Sequence, residues 1–129
     1  MVCVDTSIWV VALRNARGPE ALHLRQLMQR DQALLPAAVR IEILAGASRK
    51  DHDRLRERFH ALPQSVPEAA TWSRLEDWTA SAAEAGERFG VADLLIAAAA
   101  AEAQASVWSL DTDFERMQRL GFVECYAAP

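Results

Sequence analysis

The run Val2-Cys3-Val4 passes at once into Asp5-Thr6-Ser7, and this junction constrains the fold more than any other feature of the chain. Val-Cys-Val has no polar alternation, so neither face of such a strand meets water. Strands buried on both faces belong to parallel sheets. Asp, Thr and Ser open helices, and Ile8, Val11 and Ala12 then recur at helical spacing. Further strands are expected at Leu34-Leu35-Pro36, at Gln64-Ser65-Val66 between two prolines, at Val107–Leu110 and at Phe122–Tyr126. Between them helices are expected: from Asp5 to the Gly18-Pro19 break, then over Glu20–Gln32, Ala37–Ala47, Lys50–Leu62, Glu68–Arg88 in one piece or two, Val91–Gln104 and Thr112–Leu120. Ala supplies 25 of the 129 residues, which favours this helix content. Short strands alternating with helices imply βαβ units: an α/β fold whose parallel sheet is covered by helices on both faces. The length suits a single domain spanning residues 1–129.

Right-handed crossovers place all strand C-termini on one edge, where open α/β sheets bind their ligands. The acids at that edge therefore matter most. Asp5 follows the first strand and Asp111 follows Val107–Leu110. Either Asp also suits a helix N-cap. Glu42 lies in Val39-Arg40-Ile41-Glu42-Ile43-Leu44, on or near an apolar face. A buried carboxylate there needs a partner, and Arg40, two positions away, points to a different side of the helix. Asp93 opens the most apolar helix, Val91-Ala92-Asp93-Leu94-Leu95-Ile96, whose alanines permit close approach to the sheet. The helix dipole offers it a second, structural reason to be there. Asp113, two residues after Asp111, is a less certain fifth acid.

Carboxylates gathered in one partly dry cleft repel one another unless cations neutralise them or some are protonated. Oxygen-only donors select a hard cation, Mg²⁺ or Mn²⁺. An unsaturated carboxylate cage suits metal-assisted hydrolysis of a phosphodiester by an activated water. Thr6, Ser7 and Ser109 are placed to orient the carboxylates, or to act as ordinary cap and turn residues. Other chemistries lack their residues. There is no Gly-rich phosphate loop and no Gly-x-Ser-x-Gly elbow. His23, His52 and His60 fall in charged amphipathic helices and read as surface residues.

The net charge of −4 argues against a broadly basic nucleic-acid binder. Thirteen of the fourteen cations are Arg, however, and Arg40, Arg49, Arg54, Arg56, Arg58 and Arg88 are able to guide a phosphate backbone or to pair with nearby acids. Cys3 and Cys125 fit neither a disulfide scaffold nor a zinc pattern and read as reduced, buried strand thiols. No secretory signal is visible, and the longest apolar stretch falls well short of the roughly 20 residues of a membrane span. A cytoplasmic location is expected.

Four blocks carry these acids: Val-Cys-Val-Asp5-Thr6-Ser7-Ile-Trp, Ile-Glu42-Ile-Leu-Ala-Gly46, Asp93-Leu-Leu-Ile-Ala-Ala98 and Ser109-Leu-Asp111-Thr-Asp113-Phe114-Glu. In order and spacing, over nearly the whole chain, they resemble the signature blocks of PIN-domain ribonucleases, and more narrowly the VapC toxins of bacterial type II toxin–antitoxin pairs. The resemblance implies a three-layer α/β/α domain around a parallel sheet of about five strands. It implies a Mg²⁺- or Mn²⁺-dependent endoribonuclease, often a homodimer, with an RNA substrate and a cognate antitoxin that blocks the site. By motif position Asp5, Glu42, Asp93 and Asp111 carry over as catalytic and metal-holding residues, with Asp113 varying in its reach to the metal. Trp9, Trp72 and Trp78 are candidate dimer anchors. Two other readings stay open. A phosphoaspartate phosphatase or receiver domain also places Asp after its first strand, but it needs a partnering Lys, and Lys50 is the lone lysine. A PIN-like scaffold that binds without cleaving would not need the metal.

Overall fold

A computed structural model describes residues 1–129. Strand β1 (Val2–Val4) leads into α1 (Thr6–Arg14) and α2 (Pro19–Gln29). Strand β2 (Ala33–Pro36) is followed by α3 (Ala37–Gly46) and α4 (Arg49–His60). The short β3 (Gln64–Ser65) precedes α5 (Ala69–Glu84) and α6 (Val91–Glu102), and β4 (Ser106–Trp108) precedes α7 (Asp113–Arg119). The strands form one parallel sheet in the order β3-β2-β1-β4.

Every residue of β1 and β2 is buried. Successive strand residues point to opposite faces, so helices must cover both faces, which makes the three expected layers. Helix α6 packs across β1, β2 and β4. Its Ala97, Ala98 and Ala100 are fully buried, and their small side chains let the helix settle close to the strands. The Cys3 thiol points into this contact and donates to the Ile96 carbonyl oxygen at 3.7 Å. Burial holds its proton far above the ordinary thiol range, so Cys3 is a packing residue and not a nucleophile.

The sheet has four strands where about five were expected. The segment Phe122–Tyr126 does run beside β4, but only through a single parallel bridge, Val107 to Cys125. Val107 N donates to the Glu124 oxygen and Tyr126 N to the Val107 oxygen, while Cys125 N turns instead to the Gln118 side chain at 2.6 Å. Cys125 N faces away from β4, and Gln118 satisfies it there. Cys125 is accordingly half-buried and outside any regular strand. His23 is not a surface residue either. Its ring stacks on Tyr126, meets the edge of Trp108, and Nε2 lies 2.7 Å from the Tyr126 hydroxyl. Trp9 is core, packed edge-on against Phe59, and Trp78 stacks on Phe122, which leaves Trp72 as the exposed tryptophan at 49%.

Candidate active site

The register of the sheet builds the site. Val4 pairs with Trp108, and the ladder continues one step further because Asp5 N donates to the Trp108 oxygen at 2.9 Å. Asp5 and Ser109 therefore emerge side by side at the carboxyl edge. The Ser109 hydroxyl donates to Asp5 Oδ2 at 2.6 Å, and the Ser7 hydroxyl donates to the same oxygen at 2.8 Å. Ser109 Oγ in turn accepts from Asp111 N, and Ser7 Oγ accepts from Leu110 N. Two hydroxyls thus tie the end of β1 to the loop after β4. Asp5 sits at the N-cap of α1, yet its side chain caps nothing. It is 5% exposed, a buried carboxylate fixed by hydroxyls alone among the hydrogen bonds of its side chain.

The remaining acids come from helix starts. Asp93 lies in the first turn of α6, Asp111 in the loop after β4, and Asp113 is the first residue of α7. One carboxylate oxygen from each of these three lies within 4.8 Å of the others. Asp111 also does structural duty, since its Oδ1 accepts from Asp113 N at 2.9 Å. The position of Asp93 at a helix N-terminus would by itself lower its pKa. The opposite occurs. Burial, a hydrogen bond shared with the Asp113 carboxyl, and the charges of Asp111, Asp5 and Asp113 push it from an ordinary 3.8 up to about 7. Desolvation and repulsion therefore outweigh the dipole, which is the behaviour of a cluster short of positive charge.

Glu42 stands apart from that trio. It is exposed on α3, not set on the apolar face, because α3 turns Val39 and Ile43 inward and leaves Ile41 60% exposed. Its link to the site is Thr6, whose hydroxyl donates to Glu42 Oε1 at 2.7 Å. Arg40 does not satisfy it and instead donates to the Gln64 side chain. Of the residues expected from the sequence, Asp93, Asp111 and Asp113 are brought into direct proximity, Asp5 acts on Asp93 through its charge, and Glu42 joins at the rim through Thr6.

One residue escaped the sequence reading. Arg116 donates to Asp113 Oδ1 at 2.5 Å and also to Glu87, and its guanidinium lies 4.7 Å over the Phe89 ring. Asp113 is thereby held from both sides, by Arg116 and by Asp93. The signal was present as the i,i+3 spacing of Asp113 and Arg116 on one helix.

These donors fit a hard divalent cation. All are carboxylate oxygens, three are already gathered, and burial together with the neighbouring acids raises the pKa of Asp93. Residues 2–120 match the PIN domain family. The chain is 30% identical to the VapC ribonuclease Mb1587 of Mycobacterium bovis over 125 residues, covering 93% of each chain. It is 34% identical over 121 residues to ribonuclease VapC18 of Mycobacterium tuberculosis, covering 89% of this chain and 85% of that one. In fold it resembles VapBC2 from Rickettsia felis, solved bound to a promoter DNA fragment, with a TM-score of 0.80, 17% identity and full coverage of both chains. It also resembles FitAB bound to a DNA fragment, with a TM-score of 0.75, 17% identity and coverage of 98% and 94%. With its acids carried by β1, α3, α6 and the β4–α7 loop and its sequence matched over nearly its whole length, this chain belongs to the PIN-domain family, in its VapC branch.

Proposed function

We propose that the chain is an endoribonuclease, the toxin of a toxin–antitoxin pair, which hydrolyses RNA phosphodiester bonds with Mg²⁺ or Mn²⁺. The observation that carries this reading is the trio Asp93, Asp111 and Asp113, with Asp5 locked beside it by Ser7 and Ser109. Asp5, Asp93, Asp111 and Asp113 would hold the cation, with Glu42 at the rim. Such an ion, when bound, lowers the pKa of water and offsets charge on the phosphate. The chain's own residues do the rest. Ser7 and Ser109 fix one oxygen of Asp5, and the other takes no side-chain hydrogen bond. Thr6 occupies Glu42 Oε1, so Glu42 Oε2 is the oxygen available to take a proton from an attacking water. Arg116 keeps Asp113 from swinging away. No histidine lies among these groups, which favours water over the RNA's own 2′-hydroxyl as nucleophile.

The relatives and structural neighbours support an antitoxin partner. Charge complementarity calls for an antitoxin segment that presents Arg or another cation to the acids. Trp72, exposed on α5, is our candidate anchor for a homodimer. No helix is long and apolar enough to cross a membrane; we place the protein in the cytoplasm as one domain over residues 1–129.

The test is incubation with total RNA in Mg²⁺, Mn²⁺ or a chelator, followed by end mapping. Cation-dependent cuts with 5′-phosphate and 3′-hydroxyl ends are expected. A 2′,3′-cyclic phosphate among the first products would refute attack by water. Unimpaired cleavage in chelator would refute the role given to the acids. Absence of cleavage under every condition would leave the scaffold reading in possession of the site.

A further inference from the structure

Helix α3, which carries Glu42, has a second polar feature on another flank. An open groove of about 500 Å³ runs between α3 and α4. Arg40, His52, Arg56 and His60 line it together with the aliphatic Ile41 and Leu44, and no carboxylate does. His52, Arg56 and His60 recur every four residues on α4 and so form one stripe facing α3.

Three arginines of the chain are neutralised by acids: Arg54 pairs with Asp51, Arg74 with Glu102, and Arg116 with Glu87 and Asp113. In the groove, Arg40, Arg56 and His60 have no carboxylate at ion-pair distance. Only His52 approaches one, Asp53, at 3.7 Å, and that acid is 98% exposed. Arg40 is anchored without being neutralised. It donates to the Gln64 side chain, which itself donates to the Phe59 carbonyl oxygen at 2.8 Å. A fixed, uncompensated guanidinium is preorganised for an anion with paired oxygens.

The groove and Glu42 share helix α3. At about 100° per residue, Arg40 and Leu44 share one flank of α3, Ile41 and Ala45 the next, and Glu42 the one after. Ile41, Glu42 and Ala45 are all exposed. Open surface therefore leads around α3 from the groove to Glu42, whose Oε1 accepts from Thr6, the residue next to the buried Asp5.

We propose that the α3–α4 groove binds the phosphate backbone of single-stranded RNA beside the cleavage site. Arg40 and Arg56 grip phosphates, His52 and His60 supply further N–H donors, and Ile41 and Leu44 take the apolar faces of sugar or base. This inference rests on the ribonuclease reading. It explains how an acidic protein holds a polyanion: the acids face the scissile bond, and the groove's cations lie around α3 from Glu42.

The test uses the full chain carrying Asp5→Asn, so that RNA survives, and a fluorescent single-stranded RNA 12-mer in Mg²⁺. Anisotropy gives affinity across a salt series. Removing two phosphate contacts with Arg40→Gln/Arg56→Gln should flatten the slope of log K against log salt by about 1.4 and weaken binding by at least about tenfold at low salt. Arg56→Gln alone, on the exposed face of α4, should flatten it by about 0.7 and guards against misfolding of the double variant. Arg14→Gln/Arg30→Gln removes the same charge elsewhere and should leave the slope unchanged. An unaltered slope in both groove variants, with RNA still bound, overturns the groove and spares the ribonuclease reading. Weaker antitoxin binding with an unaltered RNA slope also overturns it, by making the groove a protein interface. RNA neither bound by the Asp5→Asn chain nor cut by the native chain overturns both readings together.

Discussion

Asp93→Asn should make the cation-free protein more stable while destroying its use for the cation. The wild-type carboxyl is raised from 3.8 to about 7, first by burial, then by the shared hydrogen bond with Asp113 and the charges of Asp111, Asp5 and Asp113. Between those two values the folded state binds more protons than the unfolded state, so wild-type stability falls as pH rises through that window. A full shift of this size corresponds to about 4 kcal/mol. Asp93 is only half-buried, and solvent screening reduces the figure to about 1–2 kcal/mol. Asn resembles the protonated acid in size and does not ionise. The gap between variant and wild type should open near pH 4, widen to about pH 7 and then stay level. For a domain of this length it amounts to roughly 4–8 °C in Tm at pH 8. Urea or thermal unfolding in chelator at pH 4, 6 and 8 measures it. Mn²⁺ should stabilise the wild type at pH 8 and do little for the variant. An Asn variant less stable than the wild type at pH 8, or a difference that does not change with pH, would refute the view that repulsion and desolvation dominate this carboxyl.

Asp5→Asn should retain the fold and its hydroxyl contacts but lose RNA cleavage by at least about 100-fold, since several kcal/mol of charge stabilisation go with it; near-native cleavage would move the centre elsewhere. Ser109→Ala removes the hydroxyl that joins Asp5 to the Asp111 backbone and should weaken Mn²⁺ binding by about 10–100-fold, read by calorimetry. Arg116→Gln should lower Tm in chelator, with Mn²⁺ recovering most of the loss because the cation replaces the guanidinium as counter-charge to Asp113; an unchanged Tm would show that Arg116 is incidental. Trp72→Glu should convert a sedimenting dimer into a 14.3 kDa monomer, and a monomeric wild type would contradict the dimer outright.

The parallel sheet and the placing of Asp5, Asp93 and Asp111 were legible because they depend on local grammar: an unbroken apolar run, a cap residue, an Ala-dense helix. Glu42 was legible as an acid carried by a helix but not in its setting. Periodicity finds a helix, yet the rotation that buries Val39 and exposes Ile41 is decided by what packs against it. Asp113 looked secondary because its role turns on α7 starting at residue 113 and not one or two positions earlier, the scale on which helix boundaries blur. His23 looked exposed because its partners, Trp108 and Tyr126, come from the far end of the chain. The last strand shrank to one bridge, Val107 to Cys125, and the apolar pattern of Phe122–Tyr126 does not reveal how few backbone bonds it makes.

The bond from Ser109 to Asp5 joins residues 104 positions apart, and β4 closes against β1. A growing polypeptide therefore leaves the ribosome with Asp5, Glu42 and Asp93 already in hand but without Ser109, Asp111 and Asp113. Contacts this distant in sequence form late. Until Ser106–Trp108 emerges, β1 is an unpaired edge of apolar residues, the kind of surface that aggregates or attracts chaperones. The setting of Asp5 is therefore incomplete until the β4 segment and Ser109 have been made. A chain cut short before Ser106 lacks Asp111, Asp113 and the strand that pairs with β1 beside Asp5.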